Sequence, residues 1–281
     1  MSASGSECEG VARPGTFTED VVVPLIIVHL VAICANIMHM IMLSRMEVLK
    51  SAREYRIALY NITINDIIAS VLSSLDGVQS ILSRYLDPLL VNALVGMVRS
   101  PVFMKYLSLL IMVVQRYLAI CKPMSYSSHP FIKRIHLVTV FFWMFSLILS
   151  CATSMLSDLY CDTDIILYTV ITGSACTIIT TLLALIWREM RKMESRSSSE
   201  QVIQIREAVK YLLALSLTFI ACLTPLFLSY ILKFSGYDAS VFFVISIFTQ
   251  ALYSIMNIIT YGLFTKAYRK ELMSLFRQTN H

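Results

Sequence analysis

Seven apolar stretches of about 20 residues each dominate this sequence and leave only short segments between them. They cover residues 21–43, 57–80, 92–118, 135–156, 165–187, 208–232 and 241–262. A helix of that length spans the hydrocarbon core of a bilayer. Of all residues, 57% are hydrophobic and 15% are charged, where about 25% charged is usual in soluble domains. So few charges cannot cover so much apolar surface in water, and the sequence therefore predicts an all-α membrane protein, a seven-transmembrane helix bundle.

The Lys and Arg residues lie mainly on one side of these predicted spans. Of the 23, 18 lie in or next to the first, third and fifth segments between spans, or after the seventh span. Four lie toward the opposite side. Cytoplasmic segments carry an excess of Lys and Arg. This distribution predicts a multi-pass plasma-membrane protein with its N-terminus outside and its C-terminus inside.

The segments at the two ends of the chain are short. We expect residues 1–20 to form an extracellular tail, residues 21–262 the bundle, and residues 263–281 an amphipathic helix with a cytoplasmic tail. In the last segment, Phe264, Tyr268, Leu272 and Phe276 recur every four residues with basic residues between them. This pattern predicts a short eighth helix that lies on the inner surface of the bilayer.

Other classes of function lack their usual signals in this sequence. The seven Cys residues show neither a C-x-x-C pair nor a metal-ligand spacing with His, and no acid, base and nucleophile cluster together. The net charge of +5 follows from the inner loops rather than from a patch that fits nucleic acid. We therefore expect no enzyme, no cofactor or metal, and no nucleic-acid partner, but contact with the lipid bilayer.

The inner end of the third span carries the most informative motif. Residues 114–123 read VQRYLAICKP, with Gln115, Arg116 and Tyr117 near the start. They resemble the D-R-Y-x-A-I-x-x-P signature of rhodopsin-like (class A) G-protein-coupled receptors. Further matches follow in the family's order, at Asn36, Asp66, Trp143, Phe219, Cys222, Leu223, Thr224, Pro225, Asn257 and Tyr261. The resemblance implies a receptor for an extracellular small-molecule, lipid or peptide ligand, with a heterotrimeric G protein as its partner.

Arg116 is a permanent cation at the inner end of a span, where burial in lipid is costly. The resemblance implies that an acidic neighbour holds this Arg in the inactive state and that it meets the G protein in the active state. Here the neighbour is Gln115, which can hydrogen-bond but cannot neutralise the charge, and Glu207 is the nearest second candidate. We therefore expect raised basal signalling. Alternatively, Arg116 extends to the lipid headgroups.

Pro225 kinks the sixth span because proline has no N–H for the helical hydrogen bond. The resemblance implies that this kink is the pivot on which the inner end opens; alternatively, it is a purely structural kink. Leu223 stands where the family has a Trp, and Ile258 where it has a Pro. Asn257 and Tyr261 keep the family's residues, so the switch is only partly of the usual type.

Two charges, Asp66 and Lys105, lie near the middle of the membrane. At 1.5 Å per residue, Asp66 is about 14 Å from the inner end of its span and Lys105 about 16 Å above Arg116. Since an intramembrane charge needs a partner, we expect the two to pair in a polar core with Asn36. The resemblance implies a sodium site here, and we expect the Lys105 ammonium to replace the ion. Alternatively, Lys105 reaches water inside the bundle.

The outer third of the bundle contains the candidate ligand pocket. Asp76 and Arg99 either pair with each other, or Arg99 binds a carboxylate or phosphate group of the ligand. The amine-binding Asp of aminergic receptors would fall at Val98, which argues against an aminergic pocket. Cys8 and Cys161, on the outer side, form either a disulfide or two free thiols.

The short loops and altered switch residues are similar to those of an orphan or chemosensory-type receptor. The same alterations leave open a receptor-like membrane partner that no longer signals. A seven-helix transporter or channel is a further alternative, although the internal repeat typical of such folds is not found in the sequence.

Overall fold

The computed structural model describes residues 19–46, 53–82, 88–157, 163–196, 200–235, 237 and 240–278. Its eight main helices are α1 (Glu19–Arg45), α2 (Arg53–Leu82), α3 (Pro88–Cys121), α4 (Ile135–Ser157), α5 (Thr163–Arg196), α6 (Glu200–Phe234), α7 (Ser240–Phe264) and α8 (Lys266–Gln278). Two single turns, Pro123–Tyr126 and Pro130–Lys133, lie between α3 and α4. Helices α1 to α7 are each long and apolar enough to cross a membrane, which confirms the predicted fold class.

Several helices extend beyond the apolar stretches that predicted them. Helix α6 begins at Glu200 rather than at residue 208, and α5 continues to Arg196. The added turns contain Glu, Gln, Lys and Arg, which favour helix as strongly as apolar residues do. Hydrophobicity therefore marks the part of each helix inside lipid, whereas the helices α5 and α6 themselves extend beyond it at the end of the bundle where they follow one another in the chain.

Helix α3 lies at the centre of the bundle. It contacts α2, α4, α5 and α6, whereas α7 packs against α6, α1 and α2. Helix α4 lies at the periphery and exposes large apolar side chains such as Val140, Phe141 and Ile148. A soluble protein rarely exposes so continuous an apolar face, and here lipid covers it.

Helices α3 and α4 come unusually close to each other at Gly96. A Cβ atom at this position would lie only 2.7 Å from the Cα of Cys151. A few residues on, Pro101 interrupts the hydrogen bonding of α3, and the Ser100 hydroxyl donates to the Met97 carbonyl at 2.9 Å. That carbonyl is the one that the proline leaves without its helical donor. The outer half of α3 is therefore closely packed, and its proline is compensated locally.

Helix α8 turns away from α7 after Phe264 and rests against α1. Its Tyr268 is buried, and the Tyr268 hydroxyl shares a hydrogen bond of 3.0 Å with Nδ1 of His39. Burial raises the pKa of Tyr268 to about 12, so the phenol is neutral at physiological pH. One residue of the predicted four-residue pattern thus anchors the surface helix to the bundle.

Candidate functional site

The middle of the bundle holds a buried ion pair between α2 and α3. The Lys105 ammonium lies 3.3 Å from Oδ1 of Asp66, and the two side chains are 10% and 1% exposed. Lys105 also donates to the Ser254 hydroxyl at 3.0 Å, and that hydroxyl donates to Oδ1 of Asp66 at 3.2 Å. The three groups form a closed triangle, so the structure brings together the two charges that the sequence predicted to meet.

The hydrogen bonds continue from this triangle into α6, α7 and α1. Asn257 donates to Oδ2 of Asp66 at 3.4 Å and accepts a 2.8 Å hydrogen bond from the Tyr211 hydroxyl. Asn36 donates to the Ser254 carbonyl at 3.1 Å. Five helices therefore each contribute a polar group to one buried network, in which α3 and α7 contact the Asp66 carboxylate of α2 directly and α1 and α6 join through α7.

Ser254 and Tyr211 are members of this network that the sequence analysis did not single out. Ser254 lies three residues before Asn257, and that spacing places both on the same face of α7. The spacing was a usable signal for Ser254. No comparable signal exists for Tyr211, because its approach to Asn257 depends on how α6 and α7 cross.

A narrow cavity lies beside the Lys105 ammonium and has room for about one water molecule. Its wall joins α3, α6 and α7 and comprises Val102, Lys105, Phe219, Cys222, Leu223, Gln250 and Tyr253. Three of the residues that the sequence analysis assigned to the switch, Phe219, Cys222 and Leu223, therefore border the polar core.

Helix α6 is bonded to the neighbouring helix close to Pro225. The Thr249 hydroxyl of α7 lies 2.9 Å from the Cys222 carbonyl of α6, three residues before the proline, and 3.0 Å from the Ser246 carbonyl of its own helix, so the two carbonyls share its one hydrogen. Helices bent at proline commonly satisfy their backbone with hydroxyl side chains of a neighbour. Movement of α6 about Pro225 therefore acts against a specific bond to α7.

The inner end of α3 is held differently from its middle. The guanidinium carbon of Arg116 lies 3.5 Å from the centre of the Tyr55 ring. Gln115 is buried and donates to the Tyr126 hydroxyl at 3.4 Å. Tyr117, the third residue of the motif, is half-buried at the edge of the core.

Glu207, the second candidate partner for Arg116, is engaged elsewhere. Its Oε1 lies 3.5 Å from the Lys266 ammonium at the start of α8. Among the described residues, the ion pairs do not include Arg116. Glu207, the nearest second candidate for holding Arg116, is therefore paired with Lys266 in this structure.

A cluster of aromatic rings links four helices around Tyr261. The Tyr261 ring makes edge-to-face contacts with Tyr211 at 4.8 Å and with Tyr268 at 5.2 Å, measured between ring centres. It also lies 5.4 Å from the His39 ring. The rings join α6, α7, α8 and α1, so the predicted switch residue Tyr261 contacts each of the elements whose movement it would report.

The family model for the 7 transmembrane receptor (rhodopsin family) matches residues 35–261. The chain belongs to the rhodopsin family of seven-transmembrane receptors. No curated protein sequence matches it significantly. The matched range covers α1 from Ala35 through Tyr261 of α7, and so includes every helix that contributes to the polar core.

Two further predicted site residues of this rhodopsin-family receptor lie in the part of α3 that precedes Lys105. Val98 and Arg99 are half-buried in α3. The side chain of Asp76 and both Cys8 and Cys161 lie outside the described residues, so the Asp76–Arg99 pair and the disulfide stay predictions.

Trp143 of α4 donates to Asn61 at 3.0 Å, and Asn61 donates to the Ser108 hydroxyl at 2.8 Å. These two hydrogen bonds join α4, α2 and α3.

Proposed function

We propose that this protein is a ligand-activated receptor of the plasma membrane that signals through heterotrimeric G proteins. The observation that carries the proposal is Arg116, a half-buried cation at the inner end of the central helix that takes part in none of the ion pairs among the described residues. A cation held in this way is available to a cytoplasmic partner once the surrounding helices separate. The distribution of Lys and Arg supports an extracellular N-terminus.

The ligand acts in this proposal by changing the relative stability of two packings of the same bundle. Helix α6 is the element suited to move, because Pro225 removes a backbone hydrogen bond and weakens the helix at that point. Breaking the Thr249–Cys222 bond releases α6 from α7, and the inner end of α6 then swings outward. The cleft that opens beside Arg116 receives the G protein.

The ligand binds on the outer side of the polar core. Arg99 supports a ligand with a carboxylate or phosphate group, since a guanidinium forms strong paired hydrogen bonds with such anions. An extracellular small molecule, lipid or peptide of this type satisfies the proposal. The altered switch residues favour an orphan or chemosensory-type receptor.

A second candidate function is that of a receptor-like membrane partner without signalling of its own. It is favoured by Leu223 and Ile258, which replace the Trp and Pro of the family pattern. Without these residues, ligand binding is coupled less strongly to the change between the two packings. The bundle then serves as a docking partner in the membrane. A transporter or channel has less support, because the sequence lacks the internal repeat typical of such folds.

The test is basal G-protein activation in cells that express the chain, measured beside the Arg116→Ala variant at equal surface level. Leu137→Ala is the control, since this apolar side chain of the peripheral helix α4 is 56% exposed. We expect a signal above that of empty cells which falls in Arg116→Ala and persists in Leu137→Ala. A signal that is equal in both variants contradicts a role for Arg116, and silence of all forms with every G-protein class and ligand panel favours the second candidate.

We also propose that the Lys105 ammonium takes the place of a sodium ion in the polar core. The 3.3 Å contact with Asp66 supports this, because the carboxylate already has a cation beside it. Basal signalling and ligand binding are expected to be equal in sodium and in choline buffers. Lys105→Ser removes the ammonium and is expected to make both sodium-dependent; sodium dependence of the unaltered chain would overturn the proposal.

A further inference from the structure

Tyr55, near the start of α2, presents the face of its ring to Arg116. The guanidinium carbon lies 3.5 Å from the ring centre, well within the limit of about 6 Å for a cation–π interaction. A planar guanidinium at this distance is in van der Waals contact with the ring. Tyr55 is half-buried, so the contact is partly shielded from water, which strengthens it.

The other groups near Arg116 are already committed. Gln115 donates to Tyr126, and the Glu207 carboxylate lies beside Lys266. The Nε atom of Arg116 is buried and lacks a hydrogen-bond acceptor among the described residues. The electrons of the Tyr55 ring are therefore the nearest compensation that the structure offers to this cation.

We propose that Tyr55 is the positioning residue that holds Arg116 in the closed inner end of the bundle, through the face of its aromatic ring. This inference rests on the proposed function for its signalling consequence, but not for the contact itself. A ring holds a cation through its quadrupole and has no net charge, so the restraint is weaker than a buried ion pair. Loss of the ring is expected to shift the balance toward the open state by about twofold to thirtyfold at 25 °C.

The contact is tested first without any G protein. Position 55 is occupied in turn by Tyr, by Phe, and by phenylalanines with one, two and three fluorine atoms, which withdraw electrons from the ring face at nearly constant size. The thermal unfolding midpoint of the purified receptor in lipid nanodiscs is measured for each. The whole series is repeated in the Arg116→Met background, where the cation is absent.

The expected result is a midpoint that falls stepwise with fluorination when Arg116 is present and stays level in Arg116→Met. Tyr55→Phe keeps the ring and is expected to resemble the unaltered protein. Parallel slopes in the two backgrounds overturn the inference, because they show that the ring is packed but does not hold the cation.

The signalling consequence is tested with Tyr55→Leu, which keeps an apolar side chain but removes the ring. Tyr60→Leu is the matched control, since Tyr60 is a half-buried ring of the same helix that also packs against the core. Basal G-protein activation is expected to rise about twofold to thirtyfold in Tyr55→Leu only. Should Tyr55→Leu fail to reach the surface, the fluorinated series supplies the same comparison, with activation rising along it.

The two arms separate this inference from the proposed function. A fluorine-dependent midpoint with no signalling by any form supports the Tyr55–Arg116 contact and counts against G-protein coupling. Signalling that falls in Arg116→Ala but is the same in Tyr55→Leu and the unaltered chain supports the receptor and overturns the role of Tyr55 as its restraint.

Discussion

Lys105 and Arg116 are both cations of helix α3, and the bundle holds them by opposite means. Lys105 has a carboxylate at 3.3 Å and a hydroxyl at 3.0 Å. Arg116 has the face of an aromatic ring, and its Nε atom is without an acceptor in the described part of the chain. The first arrangement neutralises the charge and fixes the helices, whereas the second leaves the charge in place and restrains it weakly. A receptor needs both, since one part must stay packed while another moves.

The largest expected effect comes from breaking the pair in the middle. Lys105→Met leaves the Asp66 carboxylate buried without its cation and is expected to destabilise the bundle by about 3–5 kcal/mol. Arg116→Met removes a cation that has only a ring beside it, and its loss of stability is expected to be much smaller. Thermal unfolding of the two purified variants checks this difference.

The double variant Asp66→Leu with Lys105→Met is the control for that experiment. It removes both charges, and it is expected to recover a large part of the stability that Lys105→Met loses. Equal losses in Lys105→Met and Arg116→Met would break the comparison between the two cations.

The next largest effect on stability is expected in the outer half of α3, which is closely packed, unlike the inner end of the same helix. Gly96→Ala places a Cβ 2.7 Å from a backbone atom of Cys151, so α3 and α4 must separate. Such overpacking costs about 1–3 kcal/mol. Gly173→Ala is the control, because a Cβ there meets nothing within 4 Å, and alanine is expected to stabilise the helix by about 0.5–1 kcal/mol. Midpoints that move in the same direction would contradict the close contact.

A smaller effect is expected where the middle of the bundle is joined to the movable part of α6. Thr249→Val removes the hydroxyl that bonds to the Cys222 carbonyl, at a cost of about 1 kcal/mol. Basal signalling should rise, since the bond restrains α6 at its kink. Thr224→Val is the matched control, because the Thr224 hydroxyl bonds within its own helix to Ile220. A similar rise in both variants would show that the α6–α7 bond is not the restraint.

The smallest effect concerns the exposed ion pair at the inner rim. Glu207→Gln breaks the 3.5 Å contact with Lys266, whose side chain is 73% exposed. An exposed pair contributes well under about 1 kcal/mol and is screened by salt, so the change in basal signalling should be slight and should vanish in high salt. Lys192→Gln, which breaks a pair inside α5, serves as the control. A large effect that persists in salt would show that the main restraint on the closed state is this ion pair rather than Tyr55.

The fold was predictable because each of its signals is local. Hydrophobicity over about 20 residues marks a span, and the four-residue pattern ending at Phe276 marks the surface helix. Depth was predictable too, since the rise per residue is constant and places Asp66 and Lys105 at one level. The family followed from motifs such as the one around Arg116, and the matched range 35–261 agrees with it.

By itself, the sequence determined the number of spans, the common level of Asp66 and Lys105, and the family. Only the tertiary structure decided which groups meet: that Ser254 completes the triangle at Asp66, that Glu207 faces Lys266, and that Tyr55 covers Arg116. The physical reason is that depth depends on position along one helix, whereas contact depends on how two helices are rotated and cross. Small rotations move a side chain from one neighbour to another, and they are fixed by the packing of the whole bundle.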